Sequence, residues 1–472
     1  MYNRNMKYIF FPIAFLALLA AYLSFDFSML IEREQKKNTA FLEEQMAEHI
    51  GTLAYLYGYP LVDMYEQRHN ETHLVADEQI VYAPINRFYR FSQLVTPTIG
   101  GNLRAPNADT LYYSGWYDIN EEPLIIHTPD THGRYFTIAV TNSYSEVVHI
   151  GRRTTGTQEG HFALVKPDWD GELPKGVKPI ITESPTGWLL GRMMVDGPHD
   201  FDIAKALVDD IWLAKLSEFT PKNRPPTPNK QSAKKIDLLK RLEFFQVMNE
   251  VLQTLPQRAD EAALLAQFKT IGIGANKIFD IEQLSDATRA GLNQAIENGT
   301  NIIDASTGSP MPTKDGWIIL EYAGRYGHMY RQRAMVVKGG YANLPEESIY
   351  PARILDNEGN ALTGSNRYRI KFSADNLPDV NAFWSLSAYN LDKNRTLEPN
   401  EIERYSLGDR TQGIRYEDDG SLEIVLQHKR PEDISNWLPV PDGLFVLVLR
   451  MYEPSEAMLS GNRKLPQLER AL

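Results

Sequence analysis

The spacing of apolar residues divides the chain into helical and β-rich stretches. Between residues 39 and 59, apolar side chains recur every three or four positions, which is the spacing of one helix face. Residues 106–190, and again the stretch from 353 to the end, instead show short runs of β-branched and aromatic residues separated by Gly, Pro and Asp clusters. Many short strands at such intervals are typical of antiparallel sandwiches or barrels.

The stretch between these β-rich regions has helical periodicity from about residue 200 to 306, interrupted by a Pro-rich connector at 221–228. The pattern predicts an α+β (mainly β) fold in which two antiparallel β-sandwich modules flank a helical segment. We expect a signal-anchor and charged stalk over 1–37 and N-terminal helices plus the first sandwich over 38–200. The helical segment should then occupy 201–330, and the C-terminal sandwich 331–472.

The N-terminal residues carry the pattern of an export signal. Arg4 and Lys7 precede an apolar run over 8–25, which is long enough to span a hydrocarbon core of about 30 Å. We favour an uncleaved membrane anchor over a cleaved signal, because the apolar run is long and a small-residue cleavage site is weak. The pattern therefore predicts a cell-envelope protein on the periplasmic side of the inner membrane, or in the periplasm if the signal is cleaved.

Composition excludes several classes of binding and catalytic site. A net charge of -12 argues against nucleic-acid binding. The absence of cysteine excludes disulfides, thiolate metal sites and cysteine nucleophiles. The sequence shows no phosphate loop, dinucleotide fingerprint or Gly-x-Ser-x-Gly elbow, so we predict no cofactor.

The histidines give no clear metal motif. His69 and His73 are four residues apart but lack an accompanying carboxylate motif, so we predict no metal site. Four other histidines fall in the first β-rich region and could converge, although a structural or surface role is the favoured interpretation for each. They are His127, His132, His149 and His161.

One polar and aromatic run, at 104–118, starts as a turn and continues as a strand. Polar side chains that gather where a loop enters a sheet often build a binding site. The alternative is an Asx-turn followed by ordinary sheet aromatics. Together with similar residues elsewhere, this run supplies the candidate site residues Asn107, Asp109, Tyr113, Asn142, Arg152, Arg192, Tyr389, Asn436, Trp437 and Arg450.

Arg450 lies in an otherwise apolar strand. Burying its guanidinium without a partner would be costly. We therefore expect it to meet a carboxylate, such as Asp109 or Asp409, or an anionic ligand.

Several ordered motifs accompany this set. In the N-terminal half they are Tyr-Gly-Tyr-Pro at 57–60, Pro-Asn-Ala-Asp-Thr-Leu-Tyr at 106–112, Arg-Arg-Thr-Thr-Gly at 152–156 and Leu-Gly-Arg at 190–192. In the C-terminal half they are Arg-Ala-Met at 333–335, Phe-Trp-Ser-Leu at 383–386, Asn-Trp-Leu-Pro-Val-Pro at 436–441 and Leu-Arg-Met-Tyr-Glu-Pro at 449–454.

Through these motifs the chain, over roughly 50–470, resembles a bacterial two-module family of unknown function. The resemblance implies two β-sandwich modules around a helical segment, and no settled activity. The chain departs from the family at 141–144, where Thr-Asn-Ser-Tyr replaces an expected acidic strand end. A carboxylate role for that strand is therefore not expected.

Three hypotheses follow. The first is a hydrolase acting on a small anionic or glycan-like molecule, with Asp109 as general acid or base, Tyr113 beside it, and Arg152 and Arg450 holding negative charge. The second is a non-catalytic module that binds a small ligand or an envelope polymer, since activated nucleophiles and bases are few. The third is a structural protein in which a buried charge docks the modules. The expected partners are this ligand and a membrane through the N-terminal segment, with a homo-oligomer as a possible assembly.

Overall fold

A computed structural model describes residues 10–75, 79, 81–99, 105–222, 224–256, 258–274, 279–308, 313–320, 322–393 and 395–471, with side chains from residue 27 onward. The α-helices in this part of the chain are α1 (Phe10–Thr72), α2 (Phe201–Asp209), α3 (Glu243–Thr254), α4 (Ala262–Lys269), α5 (Asp286–Gly308), α6 (Tyr330–Gly339) and α7 (Glu456–Leu459).

The N-terminal module is a sandwich of two sheets. Its strands are β1 (Phe88–Arg90), β2 (Thr110–Asp118), β3 (Leu124–Thr128), β4 (Phe136–Asn142), β5 (Val147–Gly151), β6 (Gly160–Val165), β7 (Val177–Ile181), β8 (Thr186–Met194) and β9 (Trp212–Lys215). One sheet has the order β1-β2-β8-β4-β5 and the other β7-β6-β3-β9. Leu111 and Ile138 of the first sheet pack against Ile126 and Phe162 of the second in one buried core.

The C-terminal module is a second sandwich. Its strands are β10 (Thr313–Lys314), β11 (Trp317–Ile318), β12 (Ser348–Ile349), β13 (Ala352–Arg353), β14 (Arg367–Phe372), β15 (Val380–Asn390), β16 (Leu407–Gly408), β17 (Leu422–Gln427), β18 (Trp437–Pro439), β19 (Phe445–Pro454) and β20 (Gln467–Ala471). The inner sheet runs β10-β11-β13-β19-β15-β16, with β12 beside β19, and the outer sheet runs β18-β17-β14-β20. Trp384 and Leu449 of the inner sheet share a core with Ile370 and Ile424 of the outer sheet.

The helices form a third body between and beside the modules. The second half of α1 packs against α3, α5 and α6 around a core that includes Tyr57, Phe245 and Leu292. Gly291 of α5 allows this close packing, because a Cβ there would lie 2.2 Å from the Glu44 carbonyl oxygen of α1. Helix α1, near the N-terminal end of the chain, thus packs against the helices of the segment between the modules.

These features confirm the predicted α+β class, with several antiparallel sheets, none of them closed into a barrel, and a helical segment between two modules. Three strands nevertheless lie within 201–330. The β9 strand pairs with β3, and β10 and β11 extend the inner sheet of the second module. Runs as short as Trp-Leu-Ala-Lys do not reveal their period, so pairing with a distant strand decides their structure.

The predicted anchor over 8–25 lies partly outside the described residues, and no side chain within it is described. Among the helices that the structure describes, none is both long enough and apolar enough to cross a membrane.

Candidate functional site

A cavity of about 570 Å³ lies between the two modules. Its size is within the range of pockets that hold small molecules. Three of its lining residues, Leu320, Ile354 and Leu391, are exposed large apolar side chains, and they mark an apolar mouth. Its polar lining includes three arginines, of which Arg395 lies in a turn and two, Arg192 of the first module and Arg450 of the second, lie on strands.

Strand alternation places the two strand arginines in the cavity. Residues 188, 190 and 192 of β8 line the cavity, whereas Leu189 and Met193 belong to the core of the first sandwich. On β19, residues 446, 448, 450 and 452 line it, whereas Leu447 and Leu449 belong to the core of the second. Successive side chains of a strand point to opposite faces, so each strand uses one face for its own core and the other for the cavity.

Arg192 lies over an aromatic ring and is incompletely paired. Its guanidinium carbon is 5.4 Å from the centre of the Tyr112 ring, and Nη1 donates to Oδ1 of Asn343 at 3.3 Å. Its Nε is buried and has no hydrogen-bond partner among the described residues. Burial lowers the pKa of Arg192, but the surrounding tyrosines, first among them Tyr112, raise it to a net value above its ordinary range. The guanidinium is therefore positively charged.

Arg450 is almost fully buried, with 3% of its surface exposed. Its Nη2 donates to the carbonyl oxygen of Ala105 at 2.7 Å, and its guanidinium carbon lies 5.1 Å from the centre of the Tyr389 ring. Its Nη1 is buried and without a hydrogen-bond partner among the described residues. Burial lowers the pKa of Arg450 as well, while Tyr389 and other tyrosines raise it to a net value above its ordinary range.

Neither arginine forms a salt bridge with a carboxylate in the described part of the chain. The ion pair expected between Arg450 and Asp109 or Asp409 is therefore wrong. Asp109 instead accepts hydrogen bonds from Ser385 at 2.5 Å and from Ser406 at 2.7 Å. The two serine hydroxyls occupy its two oxygens, which leaves the cationic groups facing the cavity.

Asn107 forms the turn before β2 and also lines the cavity. Its Oδ1 accepts the backbone N–H groups of Asp109 and Thr110, at 3.1 and 3.0 Å, which is the Asx-turn that begins β2. Its Nδ2 donates to the hydroxyl of Tyr452 on β19. The Asx-turn interpretation of this run is confirmed, and the same turn connects the modules beside the cavity. The binding-site interpretation stays a prediction.

The two residues assigned catalytic roles in the first hypothesis do not line the cavity. Asp109 joins the modules through its two serine contacts. Tyr113 is fully buried in the core of the first sandwich, where it lies opposite Gly191, and burial raises the pKa of its hydroxyl. A Cβ at Gly191 would lie 1.9 Å from the Tyr113 ring, so the missing side chain provides the space for that ring.

The other predicted site residues separate into near and distant ones. The Tyr389 ring lies beside the Arg450 guanidinium, and its hydroxyl donates to the carbonyl oxygen of Pro106 at 2.6 Å. Arg152 pairs with Glu453 at 2.5 Å where the modules meet. Asn142 closes the turn between β4 and β5, with Oδ1 accepting the Tyr144 N–H at 2.9 Å.

Asn436 and Trp437 belong to the outer sheet of the second sandwich, away from the cavity. Asn436 bonds the backbone of Arg415 and Glu423, and the Trp437 indole donates to the Gln427 carbonyl oxygen at 2.9 Å. Their polar groups are thus committed to holding that sheet and its loops together.

Sequence reasoning missed several polar lining residues, among them Tyr112, Asn343, Tyr350, Arg395 and Tyr452. One of them carried a usable signal, since Tyr452 lies two positions from Arg450 on one strand and so shares its face. Tyr112 pairs with Arg192 across β2 and β8, a register that the sequence alone does not give. Asn343 donates to the hydroxyls of Ser348 and Tyr350, both at 2.8 Å, and so links the loop after α6 to the cavity wall.

The cavity suits recognition of an anion more than bond cleavage. Among its described lining residues, none carries a carboxylate, an imidazole or a primary amine. General acid–base catalysis most often uses one of those groups, although a tyrosine hydroxyl can also serve, and four tyrosines line the cavity. What the lining does offer is three guanidinium groups, phenol hydroxyls and amides, all of which can donate hydrogen bonds to a negatively charged group.

Comparison with known proteins agrees with the two-module division. Residues 85–215 match the model of a family described as "Protein of unknown function (DUF1254)", and residues 347–456 match one described as "Protein of unknown function (DUF1214)". No match is found among curated proteins.

Two solved structures are similar to this chain. The VPA0106 protein from Vibrio parahaemolyticus is 26% identical over 91% of this chain and 100% of its own, with a TM-score of 0.67. An uncharacterized protein from Burkholderia cenocepacia is 12% identical over 93% of this chain and 96% of its own, with a TM-score of 0.44. The chain therefore carries, in order, the N-terminal and C-terminal modules of a two-module family of unknown function.

Proposed function

We propose that this protein binds a small organic anion in the cavity between its modules, with the negative group against Arg192 and Arg450. The observation that supports this most directly is the pair of incompletely bonded guanidinium groups in one cavity. Arg192 Nε and Arg450 Nη1 are both buried without a hydrogen-bond partner in the described residues. A carboxylate or phosphate oxygen would supply the missing acceptors and the missing negative charge.

The energetic reason is the cost of burying a cation. An unpaired buried charge costs several kcal/mol, and each unsatisfied buried N–H about 1–3 kcal/mol. Tyrosine faces lower that cost through cation–π contacts of about 0.5–2 kcal/mol each. A bound anion would remove the remainder, so the free energy of anion binding would include the relief of an existing electrostatic cost.

The apolar mouth suggests the rest of the ligand. Leu320, Ile354 and Leu391 border the cavity together with Val446 and Val448. Such walls favour an aliphatic or aromatic body attached to the anionic group, over a fully hydroxylated sugar. This is the non-catalytic binding hypothesis in a more specific form.

The hydrolase hypothesis has less support from this geometry, because Asp109 and Tyr113 lie outside the cavity lining. It is tested by turnover measurements on Asp109→Asn and Tyr113→Phe with small esters and phosphoesters. Loss of a measured turnover in both variants, with folding intact, would restore it over the binding proposal. The envelope location and a homo-oligomer stay predictions from the sequence.

The binding proposal is tested by thermal unfolding with probes of matched shape. We expect benzoate and hexanoate to raise the unfolding temperature in a concentration-dependent way, and neutral benzamide to have no effect. Arg192→Gln and Arg450→Gln should each abolish the rise. Arg369→Gln, in an exposed pair with Glu423 on the outer sheet, is the matched control and should retain it.

Two results would contradict the proposal. One is an equal rise with benzamide and benzoate, since this would assign the effect to apolar contact alone. The other is the absence of any rise with benzoate, hexanoate and inorganic phosphate at millimolar concentration. Native mass spectrometry of the purified protein would add an independent view, because a retained anion would appear as a mass lost in Arg450→Gln.

A further inference from the structure

A second cluster of chemically active side chains lies on the far side of the first module, away from the cavity. His127 on β3 and His161 on β6 are directly opposite each other in the antiparallel register. Their side chains share the outer face of the sheet, because Ile126 and Phe162 point to the core of the sandwich. Of the four histidines in this module, these two are brought together by the fold.

The two imidazoles face each other at a distance that a metal ion can bridge. His127 Nδ1 and His161 Nε2 are 3.2 Å apart. Two nitrogens bound to tetrahedral zinc at about 2.0–2.1 Å would be separated by about 3.3–3.4 Å. The separation is therefore already close to that of a ligand pair.

Carboxylates complete the cluster. One carboxylate oxygen of Glu159 and one nitrogen from each of the two histidines all lie within 4.8 Å of one another. Asp210, which follows α2, has Oδ2 at 4.0 Å from His127 Nε2. His127 is buried, His161 is half-buried and Glu159 is exposed, so the cluster is open to solvent on the Glu159 side.

Aromatic rings fix the orientation of both imidazoles. Trp212 stacks on His127 with ring centres 4.8 Å apart and an angle of 22° between planes. Phe219 meets His161 edge-on at 5.1 Å. Ligand positions held by packing reduce the entropy lost on metal binding.

We propose that His127, His161 and Glu159 form a binding site for a divalent transition metal of the zinc type, with Asp210 as a neighbouring carboxylate. Two imidazoles and one carboxylate are a ligand set that zinc uses in sites with one open position. The sequence predicted no metal site, because its histidines lie 34 residues apart and no local motif joins them. The proposal is independent of the anion-binding cavity.

The metal alone is the probe. Full-length protein freed of metal by chelation and dialysis would be titrated with Zn²⁺ by calorimetry and with Co²⁺ by absorption. We expect one saturable Zn²⁺ site per chain and the strong visible absorption of tetrahedral Co²⁺. His161→Gln and Glu159→Gln should each weaken Zn²⁺ binding at least tenfold. Both change partly or fully exposed residues, so folding should survive, and far-UV circular dichroism would check this.

The chain offers a matched control. His69 and His73 stack at 4.7 Å, but their nitrogens bond backbone carbonyl oxygens of Lys234 and His69. His73→Gln should leave Zn²⁺ affinity unchanged. The proposal would be overturned if wild-type protein bound no Zn²⁺, if His161→Gln kept full affinity, or if His73→Gln lowered affinity as much as His161→Gln.

Discussion

Two regions of this molecule surround buried arginines with tyrosine rings, and they differ in how the positive charge is balanced. In the helical region, Arg333 of α6 is fully buried, and its guanidinium carbon lies 5.2–5.7 Å from the ring centres of Tyr57, Tyr144 and Tyr330. The hydroxyls of Tyr57 and Tyr330 donate to buried Glu261, at 2.7 and 3.3 Å. A carboxylate therefore lies directly behind the rings.

At the cavity the corresponding hydroxyls meet neutral groups. The hydroxyl of Tyr112, the ring beside Arg192, accepts from the Asn107 N–H at 3.2 Å. The hydroxyl of Tyr389, the ring beside Arg450, donates to the Pro106 carbonyl oxygen at 2.6 Å. The guanidinium groups there adjoin empty volume, whereas Arg333 does not line that cavity. Unbonded guanidinium nitrogens do not distinguish the two regions, because Arg333 Nε and Nη1 also lack a hydrogen-bond partner among the described residues. The difference lies in the surroundings: Arg333 has a buried carboxylate nearby, whereas Arg192 and Arg450 border a cavity that a ligand can enter.

The largest expected effect tests the structural half of this comparison. Arg333→Met should lower the free energy of unfolding by about 3–5 kcal/mol, because Glu261 would be left buried without a nearby cation. Urea denaturation would measure it. Arg331→Met, an exposed neighbour on the same helix, should change stability by less than about 0.5 kcal/mol. Equal losses of stability in the two variants would contradict a special structural role for Arg333.

The next effect tests the ligand half. Arg450→Met should cost clearly less stability than Arg333→Met, because no buried carboxylate loses its partner. It should, however, abolish the stabilisation by benzoate, which for a ligand at a hundred times its Kd is about 2.7 kcal/mol. Denaturation with and without benzoate separates the two quantities. Lower stability with intact benzoate stabilisation would instead support a purely structural role for Arg450.

A third effect concerns an acid buried in the helical region. Burial raises the pKa of Glu66 to about 7, with Asp63 and Asp237 adding to the rise, although the Leu238 N–H opposes it. The folded protein thus binds a proton that the unfolded chain releases near pH 4.3. Stability from this group is present below that pH and is lost as pH rises through about 7.

Glu66→Gln should therefore flatten the decline in stability between about pH 4.5 and 7, by up to about 3 kcal/mol. Denaturation series across that range would measure the slope. Glu48→Gln, at a partly buried position on the same helix, is the control. A slope that Glu66→Gln leaves unchanged would contradict the assignment.

The smallest effect concerns the contact between the modules. Asp109→Asn should cost about 1 kcal/mol, because an amide can accept a hydrogen bond from only one of the two serines through its single oxygen. Benzoate stabilisation should persist, since Asp109 does not line the cavity. A complete loss of ligand response would show that docking through Ser385 and Ser406 sets the cavity geometry.

The sequence was sufficient for the class of fold and for several residues of the site. The period-two runs and turn clusters predicted two antiparallel modules, and the isolated charge in an apolar strand indicated Arg450. The sequence pointed to Tyr113, whereas its neighbour Tyr112 lines the cavity, and the reason is specific. Adjacent strand residues point to opposite faces, and the face can be assigned only when the partner strand is known.

Other features depend on contacts between residues very far apart in the chain. Asn107 and Tyr452 are separated by 345 positions, and Tyr57 and Arg333 by 276. No local pattern specifies such pairs. His127 and His161 are similar, because only the register between β3 and β6 shows that they face each other.

The cavity has one wall on β8 and the other on β19, and those strands belong to different sandwiches. The core of the first sandwich also includes Tyr389 and Val446 of the second, so the two are packed together, and each presents only part of the cationic lining. Recognition would then be a property of the assembled pair alone. Any change that separates the two sandwiches would abolish binding without altering a residue that contacts the ligand. A bound molecule would in turn hold the two sandwiches together.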